Sequence, residues 1–368
     1  MTPQAARKVR VALISTTASL VAVLLLAEIA FRVVFPTPTP VELGRRSMPF
    51  ERSLFSRTTF VRQDREARGP SGEVFHLNRL GYRGPMFSIK KPTGTTRIMI
   101  YGGSSVFDYR LTEGKDWPRR LEAKLRGRGL SAVEVINAGV PGSAAFDCLG
   151  RFFAEGHVFR PDYVLLYSAW NDTKLFRHDA PLLRVVEPFQ GNPFLEYQGP
   201  IDRVLCEVSR FYVRLRTRYW VIRKRYGPEG LIPKGGYVSH LSEHALEQYK
   251  LTNAMFVEVA RAVGAIPVLV TEGRLVTASN TPEQRKLIAY EMPLLTHEAL
   301  AEAFAQSDRI VTEVAREKAV SLIDVSDVVT GRNEYFHDHV HLTDAGSEKV
   351  AQLIADALAP ILAGAARH

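Results

Sequence analysis

The sequence predicts an α/β protein, a three-layer doubly wound parallel sheet of about five strands, and three observations carry that prediction. Five short, largely apolar runs recur along the chain: RIMIY (97–101), VEVIN (133–137), YVLLYS (163–168), IPVLVT (266–271) and VSLIDV (320–325). Such runs fit parallel strands covered on both faces better than strands with one face in water. The stretches WPRRLEAKLRGRG, ALEQYKLTNAMFVEVARAVG, HEALAEAFAQSDRIVTEVAREKA and TDAGSEKVAQLIADALAPIL repeat apolar residues at helical spacing. Four of the strands run out into Gly, Ser, Asn, Asp or His, where open α/β sheets place their sites. At 368 residues, 46% of them hydrophobic, the chain can bury a core of domain size.

Taken in order, the elements begin with an apolar segment. Arg7, Lys8 and Arg10 precede VALISTTASLVAVLLLA (11–27), which carries no charge and is followed by EIAFRVVF. The apolar stretch reaches about 25 residues if Glu28 and Arg32, four apart on one helix face, pair or snorkel toward the interface. A cleavable signal would have a shorter apolar region ending in a small-x-small site, and Ala27–Ala30 fits that poorly. The expectation is an uncleaved anchor, its basic N-terminus cytoplasmic and everything after residue 36 across the membrane, on the periplasmic or extracellular side. PTPTP (36–40) reads as an extended spacer.

The expected division is therefore 1–35 for the cytoplasmic N-terminus and anchor, 36–94 for linker and lead-in, and 95–363 for a flavodoxin-like domain. An insertion at about 173–245 contains no core strand but does contain SRFYVRLRTRYWVIRKRYG. Aromatics interleaved with arginines fit a membrane-surface helix, and equally the solvated basic face of an inserted one.

A net charge of +9 calls for an acidic partner: nucleic acid, anionic lipid or an acidic polymer. A domain beyond the membrane removes nucleic acid from that set. Cys148 and Cys206 are too few for a disulfide framework and match no metal-knuckle spacing; whether they pair is left open.

The chemistry-bearing residues lie in four blocks, each at a strand end. Gly102-Gly103-Ser104-Ser105 follows the first strand, and NAGVPGSAAFD, with Asn137, Gly139 and Gly142, the second. SAWNDTK, with Asn171 and Asp172, follows the third, and FHDHVHLTDAG, with Asp338 three before His341, the fifth. In this order the blocks resemble the SGNH hydrolases, or GDSL-type esterases, over roughly residues 95 to 360, and LNRLGYRG (77–84) is similar to the lead-in of membrane-anchored bacterial members. The resemblance implies Ser104 as nucleophile, His341 as base, Asp338 as its orienter, and Ser104, Gly142 and Asn171 as oxyanion-hole donors. It implies no cofactor and no metal.

The residue types suit those roles. A serine hydroxyl needs a base within hydrogen-bond reach, the base needs a third group to fix its tautomer, and the negative oxygen of the intermediate needs preorganised donors. The chain departs from the family pattern twice: Gly103 stands where an aspartate usually precedes the serine, and Ala169 where a glycine stands two before the asparagine.

Other readings of these residues fit less well. The glycines lack the G-x-G-x-x-G and Walker spacings, and Val106 breaks G-x-S-x-G. His337, His339 and His341 alternate and would share a face of an extended strand like a metal site, which is the main local rival. HLSEH (240–244) matches the inverted zincin pattern, but Ser242 looks like a helix N-cap that leaves His240 outside. The expected activity is hydrolysis of an acyl ester, O-acetyl by the resemblance, on an envelope or exported polysaccharide. An O-acyltransferase using the same acyl-serine, or a noncatalytic polysaccharide-binding or assembly component, are the alternatives.

Overall fold

The computed structural model describes residues 3–34, 50–51, 59–60, 65–69, 71–179, 199–226, 236–290 and 292–365; the PTPTP spacer lies outside them. Strands β1 (Thr96–Gly102), β2 (Val133–Asn137), β3 (Tyr163–Tyr167), β4 (Ile266–Val270) and β5 (Ser321–Ile323) form one sheet in the order β2-β1-β3-β4-β5. Every pairing is parallel. This is the doubly wound order, and the winding reverses between β1 and β3, which opens a crevice at their carboxyl ends.

The strands alternate side chains between two cores, as a period of two requires. Met99, Tyr101, Val164, Leu166 and Leu269 pack with Phe152, Phe256, Leu300 and Phe304 from helices α4 (Ala145–Phe159), α8 (Glu243–Ala262) and α9 (His297–Glu317). Ile98, Ile100, Leu165, Tyr167 and Val268 face the other way, against Trp117, Leu121 and Leu125 of α3 (Trp117–Gly127) and Val350, Ile354 and Leu358 of α10 (Asp344–Ala365). Three layers result, with β3 buried along its whole length. Ser242 accepts from the Ala245 N–H and caps α8, so His240 lies before the helix and HLSEH does not present two histidines on one helix face.

The lead-in packs on the edge of this sheet. Arg65–Arg68 and Val74–Leu77 form an antiparallel hairpin, and Arg83 bridges onward to both Leu77 and Asn137 of β2. Arg83 is buried, and its guanidinium donates to the carbonyls of Phe107 (2.7 Å), Asp108, Leu111 (2.7 Å) and Thr112 (3.1 Å).

At the N-terminus α1 (Pro3–Val34) contains a span, Arg10–Val34, long and apolar enough to cross a membrane. Within the insertion, α6 (Pro200–Val208) and α7 (Arg210–Tyr226) pair with each other and with the far end of α1. The pairing foreseen for Glu28 and Arg32 forms at 2.6 Å. Residues 180–198 and 227–235 of the insertion lie outside the described ones. Cys148 in α4 and Cys206 in α6 are both buried thiols that do not pair with each other.

Candidate active site

The site assembles where the winding reverses. After β1 the chain has no room for side chains: a Cβ on Gly102 would meet the Tyr167 carbonyl at 2.3 Å, and one on Gly103 the Asn171 side-chain nitrogen at 2.4 Å. The two glycines let the strand turn at once into a one-turn helix, Ser104–Phe107, whose first residue is Ser104.

His341 arrives from the loop before α10. Ser104 Oγ lies 2.9 Å from His341 Nε2, and His341 Nδ1 lies 2.8 and 2.9 Å from the Asp338 carboxylate oxygens. With Nδ1–H donating to Asp338, Nε2 is left to accept the serine proton. The loop is a tight turn: Asp338 also accepts the backbone N–H of Val340 (3.1 Å) and His341 (3.0 Å), so the carboxylate holds both ring and backbone of its histidine. Burial works against the charge on Asp338, but His341, His339 and Arg110 outweigh it and hold the carboxyl well below the usual range. Arg110 lies 3.1 Å from Asp338, and the Tyr109 ring packs 4.8 Å from the His341 ring.

Asn171 and Gly142 close the other side. The Asn171 amide is fixed at both ends: Lys174 donates to its oxygen (2.6 Å), and one of its N–H bonds goes to the Ser143 carbonyl (2.9 Å), which leaves the second N–H to donate elsewhere. Gly142 has φ +89°, a left-handed backbone that glycine adopts without strain. Among the described residues, neither the Ser104 nor the Gly142 N–H is spent on a hydrogen bond within the protein.

The chain folds as a doubly wound parallel sheet, and the four blocks at its strand ends resemble those of the SGNH hydrolases in order. Among solved structures, it is similar to a lipolytic protein of the G-D-S-L family from Desulfitobacterium hafniense, with 14% identity over 72% of this chain and 100% of that one and a TM-score of 0.41. It is also similar to a lipase/acylhydrolase from Enterococcus faecalis (16%, 72% and 96%, TM-score 0.44). A third is an acetyl-xylooligosaccharide esterase from Geobacillus Stearmophilus (15%, 73% and 96%, TM-score 0.43). No family model and no curated protein matches the sequence.

Two buried carboxyls tie the blocks together, and neither carried a role in the sequence reading. Glu272, just past β4, accepts from Ser105 Oγ with one oxygen and from the Ala169 and Trp170 N–H (both 2.6 Å) with the other. It thereby fastens the residue after Ser104 to the turn that carries Asn171. Asp172 accepts from the Ala145 N–H (3.0 Å) and Ser168 Oγ (2.8 Å), joining the second block to the third. Burial raises both, Asp172 to about 7. An acidic residue directly after a core strand was the available signal for Glu272; Asp172 and Lys174 had only their place in the third block, and Arg110 only nearness to the first.

Ala169 sits at φ −152° and ψ −47°, outside the left-handed region that favours glycine. Asn137, at the start of the second block, is a brace: it donates to the Val106 carbonyl (3.0 Å) and Asp116 (3.2 Å) and accepts from the Gly139 N–H (3.0 Å).

The three histidines do not line one face of a strand. His337 donates its N–H to the His341 carbonyl across the turn (2.8 Å), and the His339 ring packs against Trp170 at a tilt, centroids 3.8 Å apart. Burial pushes His339 down to about 3. Asp338, His339 and His341 do bring ligand atoms within 4.8 Å of one another and, among the described residues, are the group that could hold a metal. Against that use, both ring nitrogens of His341 already face Asp338 and Ser104.

Proposed function

We propose that this chain is a membrane-anchored serine ester hydrolase of the SGNH type. The observation that carries the reading is the continuous chain of hydrogen bonds from Ser104 through His341 to Asp338. In the proposed reaction Ser104 Oγ attacks the acyl carbon as His341 Nε2 takes its proton, and Asp338 stabilises the imidazolium that forms. Negative charge moves to the carbonyl oxygen, where the N–H groups of Ser104 and Gly142 and the free amide N–H of Asn171 receive it. The protonated histidine hands its proton to the leaving alcohol. Water activated by the same ring then breaks the acyl-serine bond and restores the enzyme.

The substrate we propose is an acyl ester, O-acetyl in particular, on an envelope or exported polysaccharide. The net charge of +9 suits an acidic polymer, and the apolar N-terminal helix, read as an anchor with its basic end in the cytoplasm, sets the domain on the side where such polymers lie. The test is acyl release by the detergent-solubilised full chain from short-chain nitrophenyl esters and acetylated glycans. Ser104→Ala and His341→Ala are each expected to lower turnover by about 10⁴-fold or more. Activity that survives Ser104→Ala and disappears with a chelator would overturn the serine mechanism. Adding a sugar acceptor and analysing the products separates transfer to a hydroxyl from transfer to water.

A further inference from the structure

We infer that the helix pair α6–α7 is a membrane-interface hairpin. It lies along the lipid surface at the outer end of α1, its apolar stripe among the acyl chains and its arginines at anionic phospholipid headgroups. The inference rests on α1 spanning the membrane, as proposed above.

The depth follows from α1 itself. A hydrocarbon core about 30 Å thick takes about 20 helical residues. Counted from Val11, the first residue of the uncharged run 11–27, those residues end near Ala30, which places Glu28 and Arg32 at the outer boundary.

The hairpin is fastened at that level. Glu28 accepts from Ser209 Oγ (2.8 Å) and from the N–H groups of Arg210 and Phe211 (both 3.0 Å), so a residue of α1 caps the start of α7. Arg32 donates to the Val208 carbonyl at the end of α6 (2.9 Å). Phe31 meets Phe211 edge to face at 5.7 Å, and the Arg214 guanidinium lies 5.2 Å from the Phe31 ring centre. Glu28 and Arg32 thus satisfy polar groups that would otherwise be stranded at the edge of the hydrocarbon.

The two helices turn their polar linkage inward and leave apolar side chains outside. Asp202 of α6 and Arg216 of α7 form a buried ion pair, with Tyr212 donating to the same carboxylate at 2.8 Å. Ile201, Val204 and Val208 follow helical spacing on α6 and are 77, 57 and 57% exposed. Leu215, Tyr219 and Ile222 do the same on α7, each at least half exposed. Arg210, Arg214 and Arg218, at four-residue steps, run beside that second stripe.

An apolar stripe flanked by arginines is the pattern of a helix lying in the headgroup region. An acidic polysaccharide would meet the arginines and leave Ile201, Leu215 and Ile222 in water. Only lipid meets both, and lipid already surrounds the helix to which the hairpin is fastened.

The test uses the full chain in phosphatidylglycerol-containing proteoliposomes, with nitroxide labels introduced one at a time by Ile201→Cys, Leu215→Cys, Leu24→Cys in the span and Val158→Cys on the catalytic domain. The unsubstituted chain, whose cysteines are buried, gives the labelling baseline, and ester turnover verifies folding of each variant. The expected result is an oxygen-to-nickel accessibility ratio at 201 and 215 several-fold above that at 158 and close to that at 24. Ratios at 201 and 215 equal to that at 158, with 24 in lipid, overturn the hairpin alone. Aqueous ratios at all four positions overturn the anchor and the hairpin with it. Exchanging phosphatidylglycerol for phosphatidylcholine is expected to raise aqueous access at 215, and unchanged access would remove the headgroup role of the arginines.

Discussion

Gly103 is where a single methyl group decides between substrate chemistry and collision. A Cβ there would meet the Asn171 side-chain nitrogen at 2.4 Å and the Ser143 carbonyl at 3.1 Å. Asn171 cannot yield freely, because Lys174 and Ser143 hold its amide at both ends. The missing aspartate therefore reflects how closely the proposed oxyanion donor approaches the backbone of this turn. Gly103→Ala is expected to lower kcat by about 10² to 10³, the cost of a misplaced donor, and to lower the thermal midpoint as overpacking of a buried turn does. Unchanged turnover on nitrophenyl esters would refute the placement of Asn171. Asp172, the neighbour of that donor, gives a prediction in stability. A carboxyl whose pKa is raised on folding binds more protons folded than unfolded between its two values. For Asp172, raised by burial to about 7, the folded state therefore loses stability as pH climbs from about 4 to about 7. Asp172→Asn removes that ionisation. Denaturant midpoints compared at about pH 4.5 and about pH 7.5 are expected to fall less in the variant than in the parent chain.

At the scale of elements, the lead-in does more than precede the sheet. Arg83 donates to four carbonyls in and after the Ser104 helix and lies 3.5 Å from Asp116. The loop it holds carries Tyr109 and Arg110, which touch His341 and Asp338. Arg83→Met keeps much of the packing and strands those carbonyls and a buried carboxylate. It is expected to cost at least about 3 kcal/mol by urea unfolding, since one uncompensated buried polar group already costs about 1–3 kcal/mol. A loss below about 1 kcal/mol would show that water replaces the guanidinium. The contrast with the strands shows what a sequence discloses. All five appear as local apolar runs, and the observed strands fall within or beside those windows, because burial on both faces leaves a mark at every position. Ser104, Asp338 and His341 were legible in the same way, as polar residues at strand ends in a recognisable order. Arg83 and Glu272 were not. Each works through partners distant in the chain, Ser105 lying 167 residues from Glu272, and a charged residue destined for burial reads locally like one destined for water.

For the whole molecule, the proposed anchor sets a question of orientation. One apolar span is found among the described residues, and if α1 crosses the membrane as proposed, the sheet and the hairpin that follow it in the chain lie together on one side. Arg7, Lys8 and Arg10 precede the span, and positive charge near a membrane helix stays cytoplasmic. Were α1 instead a signal cleaved after Ala30, Glu28 would leave with it and the cap on α7 would be lost; cleavage after Ala27 would keep Glu28 on the mature chain but sever the hairpin from the apolar span. The two outcomes separate cleanly in bacterial cells expressing the chain with tags at both termini. The expected result is one full-length product carrying both tags, retained in membranes through alkaline carbonate washing. Protease added to spheroplasts is expected to destroy the C-terminal tag and spare the N-terminal one. A shortened product lacking the N-terminal tag and released by the wash would mean cleavage. Protection of the C-terminal tag in intact spheroplasts would place the Ser104 crevice in the cytoplasm and remove exported polysaccharide as its substrate.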